Sequence, residues 1–256
     1  MSIDYEVRNR IAYIAFCRPE KHNALRDEDI ADLIEAIEKL DDDERADIGI
    51  IHGRGRSFSS GADVAERLQR SIEEQGSRNR TSEFDSILSS KSCKPLIAAV
   101  HGYCLGHALG TALLCDLLVA EQCTKFRAPE TALGIPLPGL WFQLGHNSFA
   151  SDVTMTSRYF TGEEAARMGL VTRLVDDGTH LACAEEIANS ILENPQGAVR
   201  ELVRVRRTAV ANMLREARSI AGEFDWARSV ESADRIGEMV SRVTGSVGPS
   251  QPDESK

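Results

Sequence analysis

The chain has 256 residues, of which 42% are hydrophobic and 27% charged, and its formal net charge is -10 at pH 7. This length and composition exclude fibrous and wholly disordered classes, and they fit one large domain with at most a small appendage. Because an acidic chain repels polyanions, no nucleic-acid partner is expected, and a phosphate-bearing ligand would need a local basic patch.

The first hundred residues predict alternating strands and a helix. Two alternating apolar runs, residues 3–7 and 11–16, predict a β-hairpin. From Asp27 to Leu40 apolar residues recur every three or four positions, which predicts an amphipathic helix with Asp27 as its cap. The apolar runs 48–52 and 95–100 each end near a glycine and predict buried parallel strands.

The next segments predict a loop, a helix and further strands. Residues 66–94 are polar and predict a mobile loop that serves as a lid. A helix is expected from Gly102 to about Cys115, followed by a strand over residues 117–120 and a short strand near Phe126. The apolar tract 103–120 contains His107 and Asp116, so it predicts a buried helix and strand and no membrane span.

The second half of the chain is expected to be helical. From Gly139 onward helical patterns dominate, and residues 181–239 read as almost continuous helix with no strand. One apolar stripe in this region predicts a separate helical subdomain or an oligomer contact. Its members are Ile187, Ala188, Ile191 and Leu192. The tail from Gly245 predicts disorder.

Cysteine and histidine usage indicates a reducing compartment and no metal. None of the six cysteines forms a CxxC pair, so they are expected to be reduced core thiols. The first ten residues carry charges where a secretory signal needs an apolar stretch, which predicts a cytoplasmic location. The six histidines lack metal-ligand spacing, so no metal site is expected.

Two glycine-containing junctions carry the chemistry that the residues themselves suggest. Gly102, Gly106 and Gly110 are spaced by four, so neither the dinucleotide fingerprint nor the phosphate loop is present. Segments 58–63 and 102–108 each follow an apolar run and are rich in small residues. Small residues let backbone amides approach a ligand, and two amides aimed at one carbonyl oxygen form an oxyanion hole. Ordinary turns and close helix packing are the alternative explanation.

Four segments together resemble the crotonase, or enoyl-CoA hydratase/isomerase, superfamily. They are RPEKHNAL (18–25), GRGRSFSSGADV (53–64), PLIAAVHGYCLGHALGTALLCD (95–116) and APETALGIP (128–136). Residues 160–175 are also similar to the helix-to-strand segment of that family. The resemblance covers about residues 3–180 and implies an α/β fold, a crotonase-like spiral of ββα units with a C-terminal helical subdomain.

The same resemblance implies the organisation and the ligand. The spiral core would span residues 1–195, a helical trimerisation region 196–244 and a disordered tail 245–256. The partner would be an acyl-CoA thioester, with coenzyme A as part of the substrate and no separate cofactor. The chain would form a homotrimer or a homohexamer.

The resemblance also assigns candidate site residues. The backbone amides of Ala62 and His107 would form the oxyanion hole, although glycine is common in the family at the position of His107. The adenine end of coenzyme A would lie against the main chain of several small residues, namely Ala24, Ser60, Ala62, Asp63 and Val64. Candidates for the phosphates are Lys21, Arg67 and the arginine cluster 200–207, for which a solvated helix face is the favoured alternative.

One departure from the family decides the expected reaction. Hydratases of the family use two glutamates to hold and split a water, and the alignment places Gly110 at the first of these positions and Glu130 at the second. One carboxylate beside an oxyanion hole suffices to move a proton from the α to the γ carbon of a 3-enoyl-CoA. The one-glutamate isomerases are similar also in the TALGI run (131–135) and the bulky Trp141 and Phe142, which otherwise serve core packing.

The reaction therefore has one favoured assignment and two alternatives. An enoyl-CoA isomerase with Glu130 as acid and base is favoured. A hydratase-like or decarboxylase-like member with a replaced acid/base, or a non-catalytic acyl-CoA-binding paralogue, stays open.

Overall fold

The computed structural model describes residues 2–63, 93–133 and 138–221, which form nine strands and seven α-helices. The strands are β1 (Ile3–Arg8), β2 (Ile11–Phe16), β3 (Ile48–Gly53), β4 (Leu96–Val100), β5 (Tyr103–Leu105), β6 (Leu117–Glu121), β7 (Lys125–Arg127), β8 (Tyr159–Thr161) and β9 (Arg173–Val175). The helices are α1 (Asp27–Asp42), α2 (His107–Leu114), α3 (Pro138–Gln143), α4 (Ser148–Thr156), α5 (Gly162–Arg167), α6 (His180–Leu192) and α7 (Gln196–Ala221). The predicted α/β class is confirmed.

A six-stranded sheet forms the centre of the molecule, in the order β1-β2-β3-β4-β6-β9. The predicted hairpin is confirmed, because β1 and β2 pair antiparallel. The predicted buried parallel strands are confirmed too, since β3 pairs in parallel with both β2 and β4. Parallel strands that are covered on both faces have continuous apolar runs, which explains why β4 is buried at every residue.

Two helices cover opposite faces of this sheet. Alternate side chains of β3 point to opposite faces, so Ile51 packs in the cluster that contains Leu33 of α1. Ile50 packs instead with Ala184 and Ala188 of α6. The apolar stripe of α6 therefore lies on the main sheet, among residues that belong to the predicted core 1–195.

A second sheet has three strands in the order β5-β7-β8, and its strand β5 lies where a helix was predicted. The helix expected from Gly102 begins only at His107, because residues 103–105 pair with β7. Gly106 separates strand from helix with φ 53° and ψ -118°, a conformation that glycine adopts at little cost. The sharp turn at Gly106 fixes where the helix can begin.

Other boundaries differ from the sequence predictions. Asp27 is the first residue of α1 and not its cap; Arg26 holds the cap position, and its backbone N–H donates to the Asp29 carboxylate at 2.8 Å. The second half of the chain is not all helical, since it contains β8 and β9. The continuous helix expected from residue 181 is interrupted between α6 and α7, where Pro195 lacks the N–H that a helix needs.

Several predictions fall on other parts of the chain. Most of the predicted loop 66–94, together with Val64 and Arg67, lies outside the described residues, as does the predicted tail.

No disulfide joins the six cysteines, all of which lie within the described segments. Cys104 and Cys115 are buried, but Cys123 is exposed, so the core-thiol prediction is wrong for Cys123. Among the helices of the described segments, none has both the length and the apolarity to cross a membrane.

His52, a partly buried histidine near the end of β3, makes stability depend on pH. The His52 ring lies edge-on to Tyr13, with centroids 6.4 Å apart, and burial together with the nearby His180, Arg54 and His101 lowers its pKa. In the unfolded chain histidine titrates near ~6.5, so below that pH the unfolded state takes up protons that folded His52 refuses. The stability contributed by neutral His52 is therefore complete above about pH 6.5 and is lost as the pH falls through the folded pKa.

The expected result is a free energy of unfolding that falls below about pH 6.5 by up to ~1.4 kcal/mol per pH unit for this group. Denaturant titrations over a range of pH measure it, and His52→Gln should flatten the slope. His146→Gln, at an exposed position, is the control and should leave the slope unchanged. Equal slopes in the wild type and His52→Gln would contradict the assignment.

Candidate active site

Two backbone segments run side by side and bring Ala62 close to His107. Segments 58–62 and 101–107 are paired in parallel, with a bridge between Ser59 and Cys104. The bonds are Phe58 N–H to the His101 carbonyl (2.8 Å), Ser59 N–H to the Tyr103 carbonyl (2.9 Å) and Leu105 N–H to the Ser59 carbonyl (3.1 Å). Since parallel segments advance together, Ala62 and His107 reach the same end of the pair, each three residues beyond the bridge.

Gly61 allows the two segments to approach closely. Its φ is +85°, and a Cβ added there would lie 2.4 Å from the Leu105 carbonyl oxygen and 3.6 Å from the His107 nitrogen. The next amide along the chain, that of Ala62, donates to no acceptor within the described residues. His107 is the first residue of α2. The first amides of a helix point out of its N-terminal end, which is the positive end of the helix dipole. Both amides can therefore serve a negatively charged oxygen.

Glu130 lies beside this pair because β7 runs next to β5. Leu105 is in register with Arg127, and the Gly106 N–H donates to the Arg127 carbonyl at 2.9 Å. A Cβ added at Gly106 would lie only 2.7 Å from Oε1 of Glu130. The carboxylate is thus packed against the residue that precedes His107, and its Oε2 is buried. The structure brings together all three residues predicted for the chemistry: Ala62, His107 and Glu130.

Position 110 offers no second carboxylate. Gly110 is buried in α2, and its N–H donates to the Gly106 carbonyl at 3.0 Å, one helical turn away. The position to which the resemblance assigns the first glutamate of the hydratases is therefore one helical turn from Gly106, and it is a glycine here.

Asn23 binds the RPEKHNAL segment to residues 54–57, which lead into the first site segment. No site role was predicted for Asn23. The Asn23 side chain is buried; it accepts from the Arg18 N–H (2.9 Å) and donates to the carbonyls of Arg54 (2.9 Å) and Ser57 (2.7 Å). Its φ is 54°, a left-handed conformation that asparagine adopts more readily than most residues. An asparagine in the short stretch between the second predicted strand and the first predicted helix was the available signal.

The residues predicted to contact coenzyme A lie along one stretch of backbone. Ser60 N–H donates to the His22 carbonyl (2.9 Å), and Asp63 N–H donates to the Leu25 carbonyl (2.7 Å). Residues 60–63 therefore run beside residues 22–25, which include Ala24. Lys21 is exposed in the same loop.

The arginine cluster 200–207 is largely engaged in ion pairs. Arg206 and Arg207 each pair with Asp116 at 3.1 Å, and the Arg207 side chain is buried. Arg200 pairs with Asp47 at 2.7 Å. The favoured prediction of a solvated helix face is wrong for Arg207, which anchors α7 to the end of α2.

The contacts of Trp141 favour the alternative that this residue serves core packing. It is half-buried against the main core cluster, and its Nε1–H donates to the Ser151 hydroxyl at 2.9 Å. A buried indole N–H needs such a partner.

Comparison with known proteins shows the family of the chain. The family model described as enoyl-CoA hydratase/isomerase matches residues 6–240. The chain is 34% identical over 195 residues to a probable enoyl-CoA hydratase 1, peroxisomal, of Arabidopsis thaliana, covering 74% of this chain and 72% of that one. It is 32% identical over 205 residues to the crotonyl-CoA hydratase of Syntrophomonas wolfei, covering 78% of each chain.

A solved structure supports the fold. An enoyl-CoA hydratase/isomerase from Xanthobacter autotrophicus Py2 is similar with a TM-score of 0.79 and 27% identity, over 98% of this chain and 99% of that one. The site and the fold define a crotonase-type α/β protein, which confirms the predicted fold. The chain belongs to the enoyl-CoA hydratase/isomerase family.

Proposed function

We propose that this enzyme shifts the double bond of a 3-enoyl-CoA thioester to the 2-position. Glu130 serves as the proton-transfer group, and the amides of Ala62 and His107 form the oxyanion hole. The observation that carries the proposal is the Glu130 carboxylate packed against Gly106, the residue before His107, with Gly110 at the position that the resemblance assigns to the first glutamate.

The reaction uses each group in turn. The Glu130 carboxylate removes a proton from the α carbon, and the electron pair of that C–H bond moves to the thioester oxygen to give a dienolate. The two amides hold the developing negative charge; loss of one such donor typically costs about 100- to 1000-fold in rate. The protonated Glu130 then returns the proton to the γ carbon while the double bond forms between the α and β carbons.

A single carboxylate suits this reaction better than water addition. In isomerisation the same proton leaves and returns, so one group can act as base and then as acid. Hydration needs a base for the water and an acid for the α carbon, and a missing proton-transfer group typically costs about 100- to 10,000-fold. Hydration is the second candidate, because the Arabidopsis and Syntrophomonas relatives are named hydratases.

The coenzyme A part of the substrate is proposed to lie along residues 22–25 and 60–63. These two segments are paired next to Ala62, which forms a bridge with Leu25. Coenzyme A bound along them therefore places its thioester close to the proposed oxyanion hole. The exposed Lys21 supplies a positive charge in the same loop.

Assays with the purified full chain test the proposal. Isomerisation of 3-hexenoyl-CoA is followed by the ultraviolet absorbance of the conjugated product, and hydration of crotonyl-CoA by the loss of that absorbance. We expect kcat/KM for isomerisation to exceed that for hydration by at least ~100-fold. Hydration that is as fast as isomerisation would overturn the single-carboxylate proposal.

A further inference from the structure

Arg18 lies where three parts of the site region meet. Its guanidinium donates to the Ala24 carbonyl (2.7 Å), to the Asp29 carboxylate (3.2 Å) and to the Asp63 carboxylate (3.3 Å). The Arg18 side chain is 19% exposed, and that of Asp29 is fully buried. One cation thus joins the RPEKHNAL loop, the first turn of α1 and the residue that follows Ala62.

The contact with Asp63 reaches the Ala62 amide through the backbone. Leu25 N–H donates to the Gly61 carbonyl (2.8 Å), and Asp63 N–H donates to the Leu25 carbonyl (2.7 Å). These two bonds flank Ala62 and form its bridge with Leu25. The carboxylate of Asp63 is held by both terminal nitrogens of Arg18 at 3.3 Å. The peptide that carries the Ala62 N–H is therefore fixed at the residue before it and at the residue after it.

We infer that Arg18 is a positioning residue, which orients the Ala62 amide toward the thioester oxygen by holding Asp63 against α1. This inference rests on the proposed function, because it needs the Ala62 amide to bind that oxygen. A planar guanidinium can serve three acceptors at once, whereas lysine offers a single point charge with no fixed directions. Because Asp29 is buried in the first turn of α1, this helix is the rigid element against which Arg18 holds Asp63.

The vibration of the thioester carbonyl reports the position of the amides directly. Butyryl-CoA, a saturated thioester labelled with ¹³C at the carbonyl, has no double bond to shift and so stays bound as the same thioester, and hydrogen bonds to its oxygen lower the stretching frequency. Infrared difference spectra of the wild type, Arg18→Met and Arg18→Lys at saturating butyryl-CoA give the measurement. Arg10→Met is the matched control, since Arg10 pairs with Asp47 at 2.7 Å at the opposite end of β2.

The expected result is a lowered carbonyl frequency in the wild type and in Arg10→Met, with most of that shift lost in Arg18→Met and in Arg18→Lys. In parallel, kcat for isomerisation should fall about 10- to 100-fold in both Arg18 variants, as for a displaced catalytic group. A general loss of stability would lower the melting temperature and leave the frequency of the bound thioester unchanged.

The outcomes separate the two proposals. If the wild type does not shift the carbonyl, the oxyanion hole itself is wrong. If the wild type shifts it and folded Arg18→Met or Arg18→Lys shifts it equally, the positioning role of Arg18 is overturned. Should both Arg18 variants fail to fold, Asp63→Asn removes the charge of the partner instead, and an undiminished shift there overturns the inference as well.

Discussion

Replacing Glu130 with glutamine is expected to lower kcat for isomerisation by about 100- to 10,000-fold, the range for removal of a general acid/base. Glutamine keeps the shape of the side chain and its fit against Gly106, but an amide cannot take the α proton. The thioester should still bind, because the two backbone amides are unchanged. Steady-state kinetics with 3-hexenoyl-CoA, combined with exchange of the α proton of butyryl-CoA in D₂O, measure both steps.

Glu185→Gln is the matched control for this prediction. Glu185 is half-buried and accepts a hydrogen bond from the Tyr13 hydroxyl at 2.8 Å, but it lies on α6, which covers the main sheet. Its replacement should leave kcat and α-proton exchange unchanged. Full exchange in folded Glu130→Gln would show that another group removes the proton.

Most of the fold could be predicted from local patterns. The strands of the main sheet that are buried on both faces have continuous apolar runs, and α1 has one apolar face, so periodicity identified them. The strand β5 could not be identified in this way, because three residues in a long apolar tract fit a helix as well as a strand. Its pairing with β7, some twenty residues later, decides its conformation.

The candidate site depends still more on pairing between distant segments. The resemblance predicted Ala62, His107 and Glu130, but no local pattern places residues 58–62 beside residues 101–107. The contact of Arg18 with Asp63 joins residues 45 positions apart, and that of Arg206 with Asp116 joins residues 90 positions apart. Charge alone offers each arginine many possible partners, and only the folded chain selects one.

Replacing Gly106 with alanine should impair both catalysis and stability. The added Cβ would lie 2.7 Å from Oε1 of Glu130 and 3.6 Å from the nearest Pro129 atoms, so the carboxylate is the group that must move. Because the end of a glutamate side chain moves easily, the steric cost is small, and the backbone strain at φ 53° adds about 1–3 kcal/mol. A carboxylate displaced by about 1 Å can cost ~100-fold in kcat. Enzyme kinetics and denaturant unfolding of the same preparation compare the two losses.

Gly169→Ala separates backbone strain from the displaced carboxylate. Gly169 also has a positive φ, +75°, but a Cβ there meets nothing within 4 Å, so this control should lose some stability and keep its kcat. A double variant tests the route of the effect, because two changes that act on one group are not additive. If Gly106→Ala acts by moving the carboxylate, it should lower kcat little further in a Glu130→Gln background. A full additional loss in that background would mean that Gly106 acts through the His107 amide, and the carboxylate displacement would have to be given up.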